Sequence, residues 1–437
     1  MRVAMLTSTL GFGHIRAAEA IDEGLRERGI GVSVDHIDFW SLMDDTVARA
    51  IKEGYLSLVT RDPELWDHLH SLDRTQWKAF LRNPDTPASM STVCNEVLTK
   101  WFPQFSGFPT GGRNLDQTLA LNLLGTYGAP SATPRNLVRR GLILWMHRLL
   151  VGRLKAKLQQ DKADLIVATQ VMPASLLAQL KRRGDLKGLP SVAVLTDYGI
   201  HPFWLKSRIE HYCVATGTLA EELRRKGEGL STTITGIPLK KGFDQPIAQA
   251  VARNKLGIDG SSPVVLITGG GYGIGAAESL QVMLEAELDC QILVAAANAH
   301  EKELHKLRDI CHARPGQTRI CRNSRMSTLV RAADIVVGKP GGLSVAEALA
   351  CGRPFFAVRS LGGQESHNVA FLRQNGVGGL CNRTEFLGQL RSWLHDPHRL
   401  MQVKAKAWHL GNRKSTRRVV DVITSELRRQ LPTRRQS

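Results

Sequence analysis

Apolar residues fall in short runs, or alternate with polar ones, and the spacing switches between period 2 and period 3.6 from the first residues onward. Arg2 to Ser8 reads as a buried strand, His14 to Arg28 as a helix stopped at Gly29, and Val32 to Ile37 as the next strand. That order is a βαβ unit, which predicts a parallel sheet. From about residue 38 to 160 the rhythm breaks into polar, aromatic and Pro/Gly-rich stretches, predicting one long insertion. It returns with strands at Asp164 to Thr169, Ser191 to Thr196, His211 to Ala215 and Thr232 to Thr235. A linker from about Pro238 to Ala252 leads to a second set at Val264 to Thr268, Gln291 to Ala295, Thr318 to Cys321, Asp334 to Val337 and Pro354 to Val358. The pattern predicts two doubly wound α/β domains, residues 1–240 with the insertion at 38–160 and residues 241–400, then a basic helical tail at 401–437.

A chain of 437 residues with 43% hydrophobic content can bury two real cores, which excludes global disorder. No apolar stretch approaches the roughly 18–20 residues that cross a bilayer. Met1 to Ser8 leads straight into a strand and a glycine turn without the long apolar region of a signal peptide, so the expectation is a cytoplasmic protein. The seven cysteines are odd in number and scattered, with no C-x-x-C pair, so they read as ordinary thiols.

Charge changes the picture. Fifty-eight Lys and Arg against 40 Asp and Glu leave +18, which calls for an anionic partner. Between Trp101 and Gln160 the one acidic residue is Asp116, against eight basic ones. There, Asn136 to Leu158 sets Leu137, Leu144, Trp145, Leu149, Leu150 and Leu154 among Arg139, Arg140 and further cations at roughly helical spacing. Such a helix suits an anionic lipid interface; taken alone, the segment favours the plainer reading of a core helix with one solvated face. A second basic run spans Lys404 to Arg435. No aromatic-plus-glycine signature of an RNA-binding sheet and no zinc-finger spacing is present, so no nucleic acid partner is expected.

Open α/β sheets bind ligands at the carboxyl ends of their strands. Three loops there are rich in chemistry. Thr7-Ser-Thr-Leu-Gly-Phe-Gly-His14 ends a strand and starts a helix at or near His14. A helix N-terminus attracts anions and lowers the pKa of a nearby imidazole, which suits a neutral base; a merely capping His is the alternative. The loop lacks the third glycine of a dinucleotide fingerprint and the Lys-Ser/Thr of a P-loop. Thr268-Gly-Gly-Gly-Tyr-Gly-Ile-Gly275 places five glycines where backbone N–H groups can cradle a phosphate. Gly338-Lys-Pro-Gly-Gly-Leu-Ser-Val-Ala-Glu347 and Gly362-Gly-Gln-Glu-Ser-His-Asn368 add a carboxylate about two turns into a helix, fit to accept two ribose hydroxyls, and acceptors suited to a sugar. As plain structure, Glu347 would be a solvated helix residue.

Together these loops, with Thr196-Asp-Tyr-Gly-Ile-His-Pro-Phe-Trp204 and Thr235-Gly-Ile-Pro238, resemble the GT-B glycosyltransferases, and within them the monogalactosyldiacylglycerol synthases and processive diacylglycerol glucosyltransferases, relatives of the peptidoglycan GlcNAc-transferase. The motifs run in family order from residue 7 to residue 368. The resemblance implies two Rossmann-like domains facing a cleft, with a UDP-sugar donor held mainly by the second. Gly269, Gly270, Gly271, Gly273, Gly275, Gly341 and Gly342 would meet the diphosphate, Glu347 the ribose, and Gln364 and Glu365 the sugar, with Lys339 and Asn368 also on the donor side. On the acceptor side it implies Gly13, Asp197, His201, Pro202 and Trp204, with Trp145, Arg139 and Arg140 of the basic segment, and His14 as the catalytic base. Tyr272 and Gly362 depart from the residues usual in the family, which leaves the sugar open.

The expected reaction moves a hexose from a UDP-sugar to a lipid hydroxyl, most simply diacylglycerol, with inversion at the anomeric carbon. Glycine-loop N–H groups and a helix dipole can stabilise the leaving diphosphate. With no Asp-x-Asp segment, the expectation is metal independence and no cofactor beyond the co-substrate. Peripheral attachment to the inner face of the cell membrane would follow from the basic segment. A UDP-sugar 2-epimerase and a transferase acting on a non-glycerolipid are the alternatives.

Overall fold

Six strands of the first half, β1 (Arg2–Thr7), β2 (Ser33–Asp38), β3 (Leu165–Ala168), β4 (Ser191–Val194), β5 (His211–Val214) and β6 (Ser231–Ile234), form an all-parallel sheet in the order β2-β1-β3-β4-β5-β6. A second parallel sheet holds β7 (Val264–Thr268), β8 (Gln291–Ala295), β9 (Thr318–Cys321), β10 (Ile335–Gly338), β11 (Phe355–Ala357) and β12 (Gly378–Leu380), in the order β12-β11-β10-β7-β8-β9. The computed structural model describes residues 1–53 and 137–434, apart from 10, 44, 46–47, 50–51, 54–136, 202–203, 206, 228–229, 259–261, 274, 297–298, 300, 313–315, 358–363 and 381–382. Side chains of 137–148 and of a few other positions also lie outside the described residues.

The helices are α1 (Phe12–Glu27), α2 (Leu137–Gln160), α3 (Val171–Arg182), α4 (Gly217–Lys226), α5 (Gln249–Lys255), α6 (Ala276–Glu285), α7 (Glu301–His312), α8 (Met326–Ala332), α9 (Gly342–Ala350), α10 (Gln364–Gln374), α11 (Arg383–His395), α12 (Pro397–Leu410) and α13 (Ser415–Arg434). Strands such as Val264–Thr268 and Leu165–Ala168 are buried along their whole length, which explains why they read as continuous apolar runs. The predicted strands are found with ends shifted by a residue or two, while β12 escaped prediction. It is three residues long, begins with two glycines and pairs with β11 alone, so neither propensity nor alternation marks it.

The last helix crosses back to the first domain. Val419, Val420, Ile423 and Leu427 of α13 share one core with Ala18, Ile21 and Leu25 of α1 and with Val3 and Met5 of β1. Thr416 clamps the linker, accepting from the Leu239 N–H at 2.9 Å and donating to its carbonyl at 2.7 Å.

Helix α2 corrects the membrane-facing reading of its second half. Leu150, Val151, Leu154 and Leu158 are 0–2% exposed and belong to the first domain's core, while Leu149 on the other face is 38% exposed. The apolar residues recur at i, i+4 and i+8 because they pack inward, and Lys155 pairs with Asp185 at 2.7 Å outside. The side chains of Arg139, Arg140 and Trp145 lie outside the described residues.

Candidate active site between the two sheets

In each sheet the chain order reverses once, between β1 and β3 in the first and between β7 and β10 in the second. A crevice opens at such a switch point, beyond the carboxyl ends of the strands. The turn after β1 leads into the first turn of α1 with Gly13 and His14, the loop after β7 carries Gly269, Gly270, Gly271, Gly273 and Gly275, and the loop after β10 carries Lys339. The two crevices meet. A Cβ placed on Gly271 would lie 2.0 Å from the Phe12 ring, and one on Gly342 2.1 Å from the Thr196 carbonyl oxygen. Only glycine admits so close an approach of the two domains.

His14 sits in the first turn of α1, held from the ends of β3 and β4. Its Nδ1 lies 3.0 Å from the Thr169 carbonyl oxygen and 2.9 Å from the Thr196 hydroxyl. A carbonyl oxygen can only accept, so Nδ1 carries the hydrogen and Nε2 keeps the lone pair. Burial lowers the His14 pKa, Asp197 and the Thr169 hydrogen bond oppose the shift, and Lys339 adds to it. The neutral, Nε2-basic imidazole is therefore the form this site favours.

The loop before His14 is anchored by Asp38, whose carboxylate accepts from the Thr9 N–H at 3.0 Å and the Thr9 hydroxyl at 2.7 Å. Helix α1 begins at Gly11 and α9 at Gly341 without a side-chain cap and with no acidic residue in the first turn of either. Both helix N-termini thus keep N–H groups for an anion near the cleft. Lys339, three residues before α9 and near enough to His14 to lower its pKa, has its Nζ 2.7 Å from Glu365. Its side chain passes 4.0 Å from where a Gly270 Cβ would stand.

Glu347 faces inward from α9 and is 7% exposed. It is not a solvated helix residue. Burial raises its pKa to about 7, and Arg16 and Lys240 pull it down only in part. Among the described residues no hydrogen-bond donor reaches its carboxylate. Such a group is poised to accept hydroxyls from a ligand.

Asn368, expected on the donor side, bridges the two domains. It is fully buried, and its Nδ2 donates to Asp197 at 3.0 Å and to the Pro340 carbonyl at 3.0 Å, while its Oδ1 accepts from the Tyr198 N–H at 2.8 Å. These bonds use its polar atoms to tie the first domain to the second. Tyr198 stacks on Phe371 of α10 at 4.1 Å beside it. Trp204, expected on the acceptor side, is 4% exposed with its ring in the first domain's core. His201 is half-buried; Pro202 and the Gln364 side chain lie outside the described residues.

The structure thus brings together Gly13, His14, Asp197, the 269–275 loop, Lys339, Gly341, Gly342, Glu347, Glu365 and Asn368. Sequence reasoning missed Thr169, Thr196, Asp38 and Arg16. The two threonines carried one usable signal: each follows the carboxyl end of a strand, where open sheets place their sites.

Residues 133–239 match the family model described as monogalactosyldiacylglycerol (MGDG) synthase. The processive diacylglycerol beta-glucosyltransferase of Bacillus licheniformis is 30% identical over 267 residues, covering 60% of this chain and 68% of that protein. The protein of the same name from Bacillus cereus is 25% identical over 429 residues, covering 97% of this chain and 94% of its own. Among solved structures, Acinetobacter baumannii MurG superposes with a TM-score of 0.55 at 15% identity, covering 97% of this chain and 99% of that one. With two facing parallel sheets, switch-point glycine loops and these relatives, the chain belongs to the family of monogalactosyldiacylglycerol synthases and processive diacylglycerol glucosyltransferases, glycosyltransferases of the GT-B fold.

Proposed function

We propose that this protein transfers a hexosyl group from a UDP-sugar to the hydroxyl of diacylglycerol or a closely similar lipid, inverting the anomeric centre without a metal ion. The observation that carries this reading is the His14 ring. Its Nδ1–H points to Thr169, leaving Nε2 as a base at the junction of the two domains. In the proposed step Nε2 takes the acceptor's hydroxyl proton while the oxygen bonds to the anomeric carbon. The bond from that carbon to the diphosphate oxygen breaks, and its electron pair leaves with UDP. The uncapped starts of α1 and α9 and the Lys339 ammonium stabilise that charge. Glu347 would accept from the ribose and Glu365 from the hexose, Lys339 passing from Glu365 to phosphate as the donor binds.

The names of the relatives support a diacylglycerol acceptor. A peripheral position on the inner face of the membrane is supported by the eight cations against one acid in 101–160. Among the described residues no helix is long and apolar enough to cross a membrane.

The test is UDP release by the purified protein from UDP-glucose, UDP-galactose, UDP-N-acetylglucosamine and UDP-glucuronate in turn, with EDTA, with and without diacylglycerol in anionic micelles. Lipid-dependent release with one donor is expected. Release that ignores lipid would sink the acceptor assignment in favour of sugar-nucleotide chemistry such as 2-epimerisation, and loss of release in EDTA would sink metal independence.

A further inference from the structure

At the opposite end of α9 from the cleft, a cavity of about 340 Å³ opens between the linker, the turn after α9 and helix α12. At 1.5 Å per residue, the nine residues of α9 keep it roughly 13 Å from the diphosphate end of that helix. Arg331, Arg353 and Lys404 line it. Arg331 is 4% and Arg353 8% exposed, yet among the described residues neither guanidinium meets a carboxylate. Arg331 donates to the carbonyl oxygens of Gly242 and Gln245, and one Arg353 nitrogen donates to the Arg331 carbonyl at 2.9 Å. The Nε of Arg353 is buried without a hydrogen-bond partner among the described residues.

Among the described residues the carboxylate that serves this cluster is Asp334, and it is taken. Asp334 accepts from Lys404 at 2.9 Å and Gln249 at 2.9 Å on one oxygen, and from Arg253 at 2.6 Å and the Val264 N–H at 2.9 Å on the other. Arg413, stacked 3.6 Å from the Trp408 ring, also donates only to carbonyls, those of Ala350 and Trp408. Among the described residues Arg253, Lys404 and Arg353 thus share Asp334, with Arg331 beside Arg353. Burial lowers the pKa of Arg353 and of Lys404, and their mutual repulsion adds to the shift in Lys404. Buried cations held this way are costly unless an anion completes them.

The rim is apolar. Ile247 and Trp408 line the cavity and are 38% and 36% exposed; Met401, at 60%, shares the face of α12 with Lys404 and Trp408 by i, i+3, i+7 spacing.

We propose that this cavity binds a phosphate group, as a mono- or diester, with Arg353 and Lys404 as its cationic floor, and that the rim of Ile247, Met401 and Trp408 presents it to phosphate carried at a lipid surface. Forked guanidinium donors suit phosphate oxygens, and exposed Trp and Met beside cations suit the headgroup region of a bilayer. The second domain then has an anchor of its own, independent of the basic segment before residue 160.

The test uses the full chain. Inorganic phosphate and glycerol 3-phosphate, against chloride at equal ionic strength, are expected to raise Tm saturably by about 3 °C or more. Arg353→Leu loses that response. Ala248→Glu, which sets a carboxylate at the cavity wall, loses it too while raising the unliganded Tm, so a folding failure of Arg353→Leu leaves the proposal open to refutation. Flotation with phosphatidylglycerol against phosphatidylcholine vesicles separates the sources. Met401→Ser, outside the cavity lining, is expected to lower phosphatidylglycerol binding about twofold or more and leave the response to inorganic phosphate intact. Unchanged flotation in that variant overturns the lipid assignment in favour of a soluble phosphate. Absence of any phosphate response in the parent, with vesicle binding unaltered by Ala248→Glu, overturns the site.

Discussion

Asp197 of the first domain accepts a hydrogen bond of 3.0 Å from the side-chain nitrogen of Asn368 in the second. The same Asn368 holds the backbone on both sides of the cleft, at Tyr198 N and Pro340 O. Asp197 in turn raises the pKa of His14 against the effect of burial. One buried amide therefore links the relative placement of the sheets to the charge beside the candidate base.

Asn368→Ala leaves the Tyr198 N–H and the Pro340 carbonyl without their partner in a buried place, which costs about 1–3 kcal/mol. The expected result is a lower Tm and a kcat/KM reduced at least tenfold, with the circular dichroism spectrum preserved. Full activity with a lowered Tm would show that the bridge is structural only.

His14→Ala should reduce transfer by about 10²–10⁴-fold while UDP still binds. Because burial lowers the imidazole pKa below its ordinary 6.5, the base stays neutral in mildly acidic solution. The acidic limb of kcat/KM against pH is therefore expected below 6.5, falling as the ring protonates. A limb above 6.5 would contradict this placement of His14.

Glu347 makes stability and donor binding pull in opposite directions. Its folded pKa of about 7 lies above the ordinary 4.5, so the native state holds a proton that the unfolded chain has released between those values. Stability from this group is thus present at low pH and is lost as pH rises from 4.5 through 7. Glu347→Gln should raise Tm at pH 8, by up to the order of 2–3 kcal/mol of stability, and weaken UDP binding. Calorimetry at pH 5 and pH 8 checks both; an unchanged UDP affinity would remove Glu347 from the donor site.

Gly342→Ala places a methyl group 2.1 Å from the Thr196 carbonyl oxygen, against backbone that cannot yield as a side chain would. The domains must part to admit it, so a loss of activity with a fall in stability of about 1–3 kcal/mol is expected. Gly388→Ala, where nothing lies within 4 Å, is the control expected to behave as the parent.

Leu154→Ala and Leu149→Ala test the inward reading of α2. Leu154 is fully buried and should cost about 2–5 kcal/mol, whereas Leu149, 38% exposed, should cost well under 1 kcal/mol. Equal effects on urea midpoints would contradict the packing described.

The sequence by itself determined the parallel strands, the two α/β halves and the glycine turns with His14, Lys339 and Glu347. These are local properties: a strand covered on both faces must be a continuous apolar run, and a phosphate-ready turn is written in a few adjacent residues. Only the tertiary structure decided that Thr169 and Thr196 orient His14, that Asn368 binds Asp197, and that α13 completes the first core. It also turned Leu150 and Leu154 inward from a helix whose pattern suited a membrane as well. These partners lie far apart along the chain, 155 residues for His14 and Thr169 and 171 for Asp197 and Asn368. Their meeting depends on how two open sheets face each other, and no periodicity in the chain encodes that.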